Sequence, residues 1–386
     1  MRALILTAGF GEGHNAAARA VAEAWIARAG AGTAPVLDVH AQAAPRLNRI
    51  ARRAYLGAIN RTPDLWRAIY GWLDRSRLAV RVLGALPGER RVLREAIARE
   101  RPDAILCSFP GYAYPLAALR RAGGIEMPFF NIVTDSISLN SLWWRAGADG
   151  WFVPNAESAE VMRDAGVDEE QVWVTGFPVR RVFAEQAGGP TVPDPAGGTA
   201  PRVLQIVNSG TRHAAETAEL LFRETDWAIT CTVGRDEALR ARLGAAAARR
   251  KAPTTILGWT EEIPRLLMTH HVVVSKAGGA TTQEALAARC PMIVNQIVPG
   301  QEEGNYELLR RHGIGALAET PAATLAALRE AFADEGRVWR RWRAALEPLC
   351  RPDAADEIAV RAMAEARAAR TSEPVPMPLR RAALSA

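Results

Sequence analysis

The sequence predicts an α/β protein made of two Rossmann-like, doubly wound domains that face a cleft. Three observations carry that reading. Short apolar runs alternate with stretches of helical periodicity along most of the chain, the pattern of repeated βα units and a parallel sheet covered on both faces. One Gly- and Pro-rich break, over 186–201, interrupts the series and cannot hold regular structure. The length of 386 residues suits two domains at roughly 100–200 residues each. The expected organisation is a first domain over 1–185, a linker over 186–201, a second domain over 202–350, a helix over 351–369 and a disordered tail over 370–386.

The elements follow in order. Leu4-Ile-Leu-Thr is a short buried strand, and 14–29 is a helix. Strands are expected at 35–39, 104–107, 128–133, 150–153 and 171–174. Helices fall between them at 90–100, at 112–121 and from 156. After the break, strands are expected at 202–207, 227–233, 255–257, 271–275 and 292–294. Helices are expected near Glu216, Glu237, Glu261, Thr282 and Glu303, then over 323–346 and 354–368. Ligands of such sheets bind beyond the carboxyl ends of the strands.

Composition excludes several classes. With 49% hydrophobic and 23% charged residues the chain is neither disordered throughout, nor collagen, nor coiled coil. No apolar run is long enough to cross a membrane, and the first apolar run is too short for a signal peptide, so a cytoplasmic protein is expected. The four cysteines stand far apart without C-x-x-C, as buried apolar thiols do.

Charge is uneven. The net charge is +6, yet residues 45–101 hold 14 arginines against five acids, which leaves the rest at −3. Leu47, Ile50, Ala54, Tyr55, Ala58 and Ile59 form a helical stripe, with Arg46, Arg49, Arg52 and Arg53 beside or opposite it. Trp66, Tyr70 and Trp72 follow. A basic amphipathic helix with aromatics suits an anionic membrane surface. No RNA- or DNA-binding module is recognisable, so no nucleic-acid partner is expected.

Three motifs carry chemistry. The first turn reads Ala8-Gly-Phe-Gly-Glu-Gly-His-Asn: glycines allow close approach, and a helix N-terminus offers free N–H groups. His14 falls in the first helical turn, where the helix dipole favours its neutral form. In the second motif, Val272-Val-Val-Ser-Lys-Ala-Gly-Gly-Ala-Thr-Thr-Gln-Glu, amides and hydroxyls converge as a diphosphate requires, and Glu284 lies where a carboxylate could accept both ribose hydroxyls. The third, Val298-Pro-Gly-Gln-Glu-Glu-Gly-Asn, places Gln301, Glu302 and Asn305 at a strand end, suited to sugar hydroxyls. Asp38, at the end of the second strand, lacks the glycine spacing of a dinucleotide site.

The second and third motifs together resemble the nucleotide-sugar site of the monogalactosyldiacylglycerol synthase and processive diacylglycerol glucosyltransferase family. The bacterial lipid II N-acetylglucosaminyltransferase is a more distant relative. Gly11-Glu-Gly-His-Asn, Val133-Thr-Asp-Ser, Leu142-Trp-Trp and Val174-Thr-Gly-Phe-Pro-Val resemble that family's acceptor domain. The resemblance implies a GT-B fold, a UDP-sugar on the second domain and inverting, metal-independent transfer to a lipid hydroxyl, diacylglycerol first. No cofactor is implied, since the UDP-hexose is a substrate, and no D-x-D occurs.

By position, Gly278, Gly279, Thr281 and Thr282 would hold the diphosphate, with Ser209 and Gly210 near it. Glu284 would hold the ribose, Gln301 and Glu302 the sugar, and Trp259 would meet the uracil. Gly11, Gly13, Phe109, Asn140 and Trp143 fall on the acceptor side. There the chain departs from the family: Phe109-Pro110 replaces His-Pro, and Asn140-Ser141 stands where a histidine is usual.

Transfer needs a base for the attacking hydroxyl. Asp135, at the end of a buried strand, and His14 are the candidates. With Asp135 as base, His14 would orient it or donate to the leaving phosphate. Other readings are a soluble or polyprenyl-linked acceptor, a nucleotide-sugar epimerase, and a donor-binding protein without turnover.

Overall fold

The computed structural model describes residues 1–187, 192–207, 211–300 and 302–371. The expected positions Ser209, Gly210 and Gln301 lie outside the described residues, as does the tail from 372 onward. The first half runs β1 (Ala3–Thr7), α1 (Glu12–Ala29), β2 (Val36–Asp38), α2 (Val39–Ala43), α3 (Pro45–Arg61), α4 (Pro63–Arg75), α5 (Arg77–Ala85), α6 (Pro87–Glu100), β3 (Ala104–Cys107), α7 (Ala113–Arg121), β4 (Phe129–Ile132), β5 (Gly150–Val153), α8 (Ala156–Asp164), β6 (Val172–Val174) and α9 (Val182–Glu185). The second runs β7 (Arg202–Ile206), α10 (Ala214–Glu224), β8 (Ala228–Thr232), α11 (Glu237–Ala247), β9 (Thr254–Leu257), α12 (Ile263–Thr269), β10 (Val272–Lys276), α13 (Gly279–Ala287), β11 (Met292–Gln296), α14 (Glu303–Arg311), β12 (Ala316–Leu317), α15 (Pro321–Phe332), α16 (Arg337–Leu346) and α17 (Ala354–Thr371).

Two six-stranded parallel sheets result, in the orders β2-β1-β3-β4-β5-β6 and β12-β11-β10-β7-β8-β9. Strands such as β1, β3 and β4 are buried at every residue, because helices cover both faces. In each order the chain reverses direction once, between β1 and β3 and between β7 and β10. Crevices open at such points, beyond the carboxyl ends of the strands. The Gly9–His14 turn follows β1, and the Lys276–Gly279 turn follows β10.

α17 crosses back to the first domain. Ala355, Ile358, Ala359, Ala362 and Met363 pack into a core with Ala18, Val21 and Trp25 of α1. Gly176 marks the crossing: its φ of +94° needs glycine, and a Cβ there would lie 2.6 Å from Arg351 Cβ. Phe177, Val179 and Phe183 pack beside Leu204 and Val273 of the second sheet.

Three expectations change. The helix expected over 323–346 is two, because Asp334, Glu335 and Gly336 adopt positive φ and break it. α17 continues through 370 and 371, which were expected in the tail. The stripe of α3 does not face one environment. Leu47 and Ile50 are exposed, whereas Ala54, Tyr55 and Ala58 line a cavity that opens to the surface, and the side chain of Ile59 lies outside the described residues. Cys107, Cys231 and Cys290 are buried free thiols, and Cys350 is half-buried.

The domains touch where their strand ends meet. Gln283 Nε2 of α13 donates to Ser136 Oγ at 3.0 Å, and Gly304 of α14 lies under the Ser136–Ser138 turn. A Cβ on Gly304 would stand 1.7 Å from the Ser136 carbonyl oxygen. Gly304→Ala is therefore expected to lower stability by about 1–3 kcal/mol, read by thermal unfolding. Unchanged stability would show that the seam is not rigid.

Candidate active site

β1 leads into the side expected to take the acceptor. Gly11 at φ +106° lets the chain turn from the strand into α1, which puts His14 in the first turn. His14 Nδ1 lies 2.6 Å from the Ser108 carbonyl, beyond β3. A carbonyl only accepts, so Nδ1 carries the proton and Nε2 keeps its lone pair. Thr134 Oγ1 lies 3.0 Å from the same Nδ1. Burial lowers the imidazole pKa to about 4, and the Ser108 bond opposes it only in part. The neutral form expected from the sequence is present, but desolvation is the main cause. In this tautomer His14 has no free N–H for a leaving phosphate.

Asp135 follows β4 through Val133, whose N–H donates to Phe152 O at 2.9 Å. Its Oδ2 accepts from Trp143 Nε1 at 2.8 Å. Trp143 is fully buried, and its carbonyl accepts from Asn131 Nδ2 at 2.9 Å and Trp151 Nε1 at 2.7 Å. Trp143 thus fixes Asp135, the part first given to His14. Burial raises the Asp135 pKa to about 6 against the pull of that indole bond.

β10 and α13 form the side expected to take the donor. Gly278 caps α13, so the amides of Gly279, Ala280 and Thr281 open the helix without intrahelical partners. Thr282 is corrected: its N–H is bonded to Gly278 O at 2.9 Å, and its fully buried hydroxyl points to Met292 Sδ at 3.8 Å. Lys276 pairs with Glu302, whose Oε2 also accepts from Val298 N at 2.9 Å. Glu302 thereby anchors a cation beside Gly278. Asn305 Nδ2 donates to Ala277 O at 2.9 Å, while its buried Oδ1 has no protein partner. Enclosure raises the Glu284 pKa to about 7, with Arg180 and Arg19 opposing. Trp259, beyond β9, is 64% exposed.

Two cavities meet here. One, of about 540 Å³, is lined by Gly9, Gly11, Gly13, Thr134, Lys276, Gly278, Gly279, Thr281, Glu302 and Asn305, with Arg52 and Arg235. The other, of about 660 Å³, is walled mostly by apolar residues of α3, α4 and α5 together with Phe109, Asn140 and Leu142. Both are lined by His14 and Asp135. Phe109 stacks on Phe10 and meets His14 edge-on at 5.3 Å. Asn140 is spent structurally, donating to Tyr70 O at 3.3 Å and capping Leu142 N at 3.1 Å. Asp38 is structural too, accepting from Gly9 N at 3.0 Å and Ala41 N at 2.9 Å.

Sequence reasoning missed three cations of the polar cavity: Arg52, Arg235 and Lys276. Lys276 stood inside the quoted motif. Arg52 was placed with the membrane-facing arginines, but its guanidinium lies against Gly9, 3.1 Å from where a Cβ would stand. The aromatic residues also separate. Tyr55, Trp66 and Tyr70 turn into the apolar cavity, and Trp72 is exposed.

Comparison with known proteins agrees with this geometry. Residues 14–179 match the family described as monogalactosyldiacylglycerol (MGDG) synthase. A processive diacylglycerol beta-glucosyltransferase of Bacillus cereus is 25% identical over 368 residues, 94% of each chain. Among solved structures, the glycosyltransferase SnogD of Streptomyces nogalater superposes with a TM-score of 0.56 at 20% identity, over 95% of this chain and 99% of that one. The UDP-GlcNAc 2-epimerase of Neisseria meningitidis, bound to UDP-GlcNAc, superposes with a TM-score of 0.58 at 11% identity, over 95% and 100%. With the GT-B architecture of its two sheets, the chain is similar to the monogalactosyldiacylglycerol synthase and processive diacylglycerol glucosyltransferase family.

Proposed function

We propose that the protein is an inverting, metal-independent glycosyltransferase that moves a hexose from a UDP-hexose to the hydroxyl of diacylglycerol. One observation carries this reading: a polar, cation-lined cavity and an apolar cavity share His14 and Asp135. An epimerase needs the polar cavity but has no use for an apolar one of similar size beside it.

The lipid hydroxyl attacks the anomeric carbon opposite the bond to UDP. A C–O bond forms, the C–O bond to the β-phosphate breaks, and the hydroxyl proton goes to Asp135. A carboxylate whose conjugate acid has a pKa near 6 is a better base than an ordinary aspartate and is still ionised at neutral pH. Charge on the departing UDP meets the amides at the start of α13 and the cations Lys276, Arg52 and Arg235. Asn305 Oδ1 accepts from a hydroxyl of the donor sugar, and Glu284 from the ribose. His14, through Nε2, accepts from the incoming hydroxyl and orients it. A second reading gives His14 the proton, since its tautomer leaves Nε2 basic.

The lipid comes from a membrane surface. Leu65 and Ile69 line the apolar cavity and are also exposed. Leu47, Ile50, Trp72 and Leu78 extend exposed apolar surface over α3–α5, among arginines. No helix among the described residues is long and apolar enough to cross a membrane. Peripheral binding to the inner face of the cell membrane fits these features, at roughly 1 kcal/mol per arginine near the surface.

UDP release from UDP-glucose and UDP-galactose on anionic vesicles tests the reading. Release should require diacylglycerol, continue in EDTA, and fall about 10²–10⁴-fold in Asp135→Asn. Release that ignores the lipid, or stops in EDTA, would sink it. The pH profile separates the two bases. With Asp135, kcat/KM should fall below about pH 6, tenfold per unit, and the Asn variant should lose that limb; with His14 the limb should sit near pH 4. Stability supplies a third check. Asp135 binds its proton more tightly folded than unfolded, so its contribution is full below pH 4 and lost as pH rises through about 6. Asp135→Asn cannot ionise and should gain up to about 3 kcal/mol over the native chain at pH 8, less at pH 4. An equal gain at both pH values would contradict a buried, ionised Asp135.

A further inference from the structure

The apolar cavity contains two polar donors that no described residue satisfies. Trp66 Nε1 and the Tyr70 hydroxyl are both buried, and neither proton finds an acceptor among the described residues. The residues stand four apart on α4, which puts them on one face of the helix, with ring centroids 6.2 Å apart. Both line the cavity that His14 and Asp135 also line. Tyr55 meets Trp66 edge-on at 5.0 Å and holds the indole in place. Asn140 stands beside Tyr70 as a donor: its amide nitrogen gives to the Tyr70 carbonyl and can serve the phenol oxygen, but it cannot take the phenol proton.

A buried donor left unpaired is costly, and native proteins keep few of them. Two on one helix face, inside a substrate-sized apolar cavity, mark where the acceptor atoms of a ligand belong. That ligand is mostly apolar, carries two acceptor oxygens and has its reacting end near Asp135. In diacylglycerol the two ester groups stand on the carbons adjacent and next-adjacent to the one that bears the free hydroxyl. A long-chain or isoprenoid alcohol has no carbonyls and would leave both donors unpaired.

We propose that Trp66 and Tyr70 donate to the two ester carbonyls of a glycerolipid acceptor, so that the site selects diesters over diethers. This rests on the acceptor reading of the cavity given above. It adds a recognition element that places the glycerol by its esters, leaving the free hydroxyl for Asp135.

The test compares 1,2-diacylglycerol with 1,2-dialkylglycerol of matched chain length, in the same anionic vesicles, by UDP release from saturating donor. The native protein should prefer the diester about 10- to 100-fold in kcat/KM, as two neutral hydrogen bonds carry. Trp66→Phe and Tyr70→Phe should each cut that ratio about three- to tenfold, and together bring it close to one. Tyr70→Phe removes a single oxygen and keeps the ring, so it remains informative if the Trp66 variant folds poorly. Equal use of diester and diether by the native protein would overturn the proposal and leave the acceptor cavity standing. So would variants that slow both lipids alike. Turnover of neither lipid, with UDP-sugar still bound, would instead overturn the acceptor reading and the proposal with it.

Discussion

The site depends on a seam one residue wide. Asp135 lies between Thr134 and Ser136, and both neighbours touch the other domain. The Thr134 carbonyl lies 3.3 Å from where a Cβ on Gly279 would stand, and Ser136 meets Gln283 and Gly304. Within its own domain, Ser136 Oγ also accepts from Asn155 Nδ2 at 3.2 Å. The pair between His312 and Glu157, 2.7 Å apart, ties the same two domains nearby. The contact that joins the domains therefore also encloses the carboxylate between them. Asp135 is desolvated by its surroundings and anchored from behind by a buried tryptophan, and these two facts set its basicity. If the seam opened, water would reach Asp135 and its pKa would fall toward the ordinary range.

Much of this was legible in the sequence because parallel sheets write a strong signal. Eleven strands stand out as apolar runs, since helices cover both faces of each sheet. β12 is two residues long and only half covered, so it has no periodicity to read. The turns after β1 and β10 were legible because glycine and hydroxyl residues cluster where a backbone must approach an anion. Asp135 was legible as a charge at the end of a buried strand.

What failed was the assignment of faces. Helical periodicity shows that α3 has an apolar stripe, but it cannot say whether membrane, core or ligand lies opposite. Tyr55, Ala54 and Ala58 face a cavity because α4 packs across from them, and that packing is invisible in local sequence. Arg52 reads like its neighbours Arg49 and Arg53 until the fold turns it toward Gly9. Thr281 and Thr282 are chemically equivalent in the motif. One helical step of about 100° sends the first to the cleft and the second into the core against Met292. At Phe109 and Asn140, where the chain departs from the pattern of the family it resembles, the cavity wall is built by ring stacking and backbone hydrogen bonds in place of imidazoles.

The distribution of unmet polar groups connects these points. Most buried polar atoms in a folded chain find partners, because leaving one unpaired costs about 1–3 kcal/mol. Around this cleft such costs recur. Glu284 is held where ionisation is disfavoured, the first amides of α13 lack intrahelical partners, and Asn305 Oδ1 is unpaired. Asp135 is desolvated, and the donors of Trp66 and Tyr70 face apolar walls. A site under no functional constraint would shed these costs by single substitutions, each gaining stability. Stability given up at each point becomes binding free energy when the matching group arrives. Of these groups Asp135 is the one that lines both cavities.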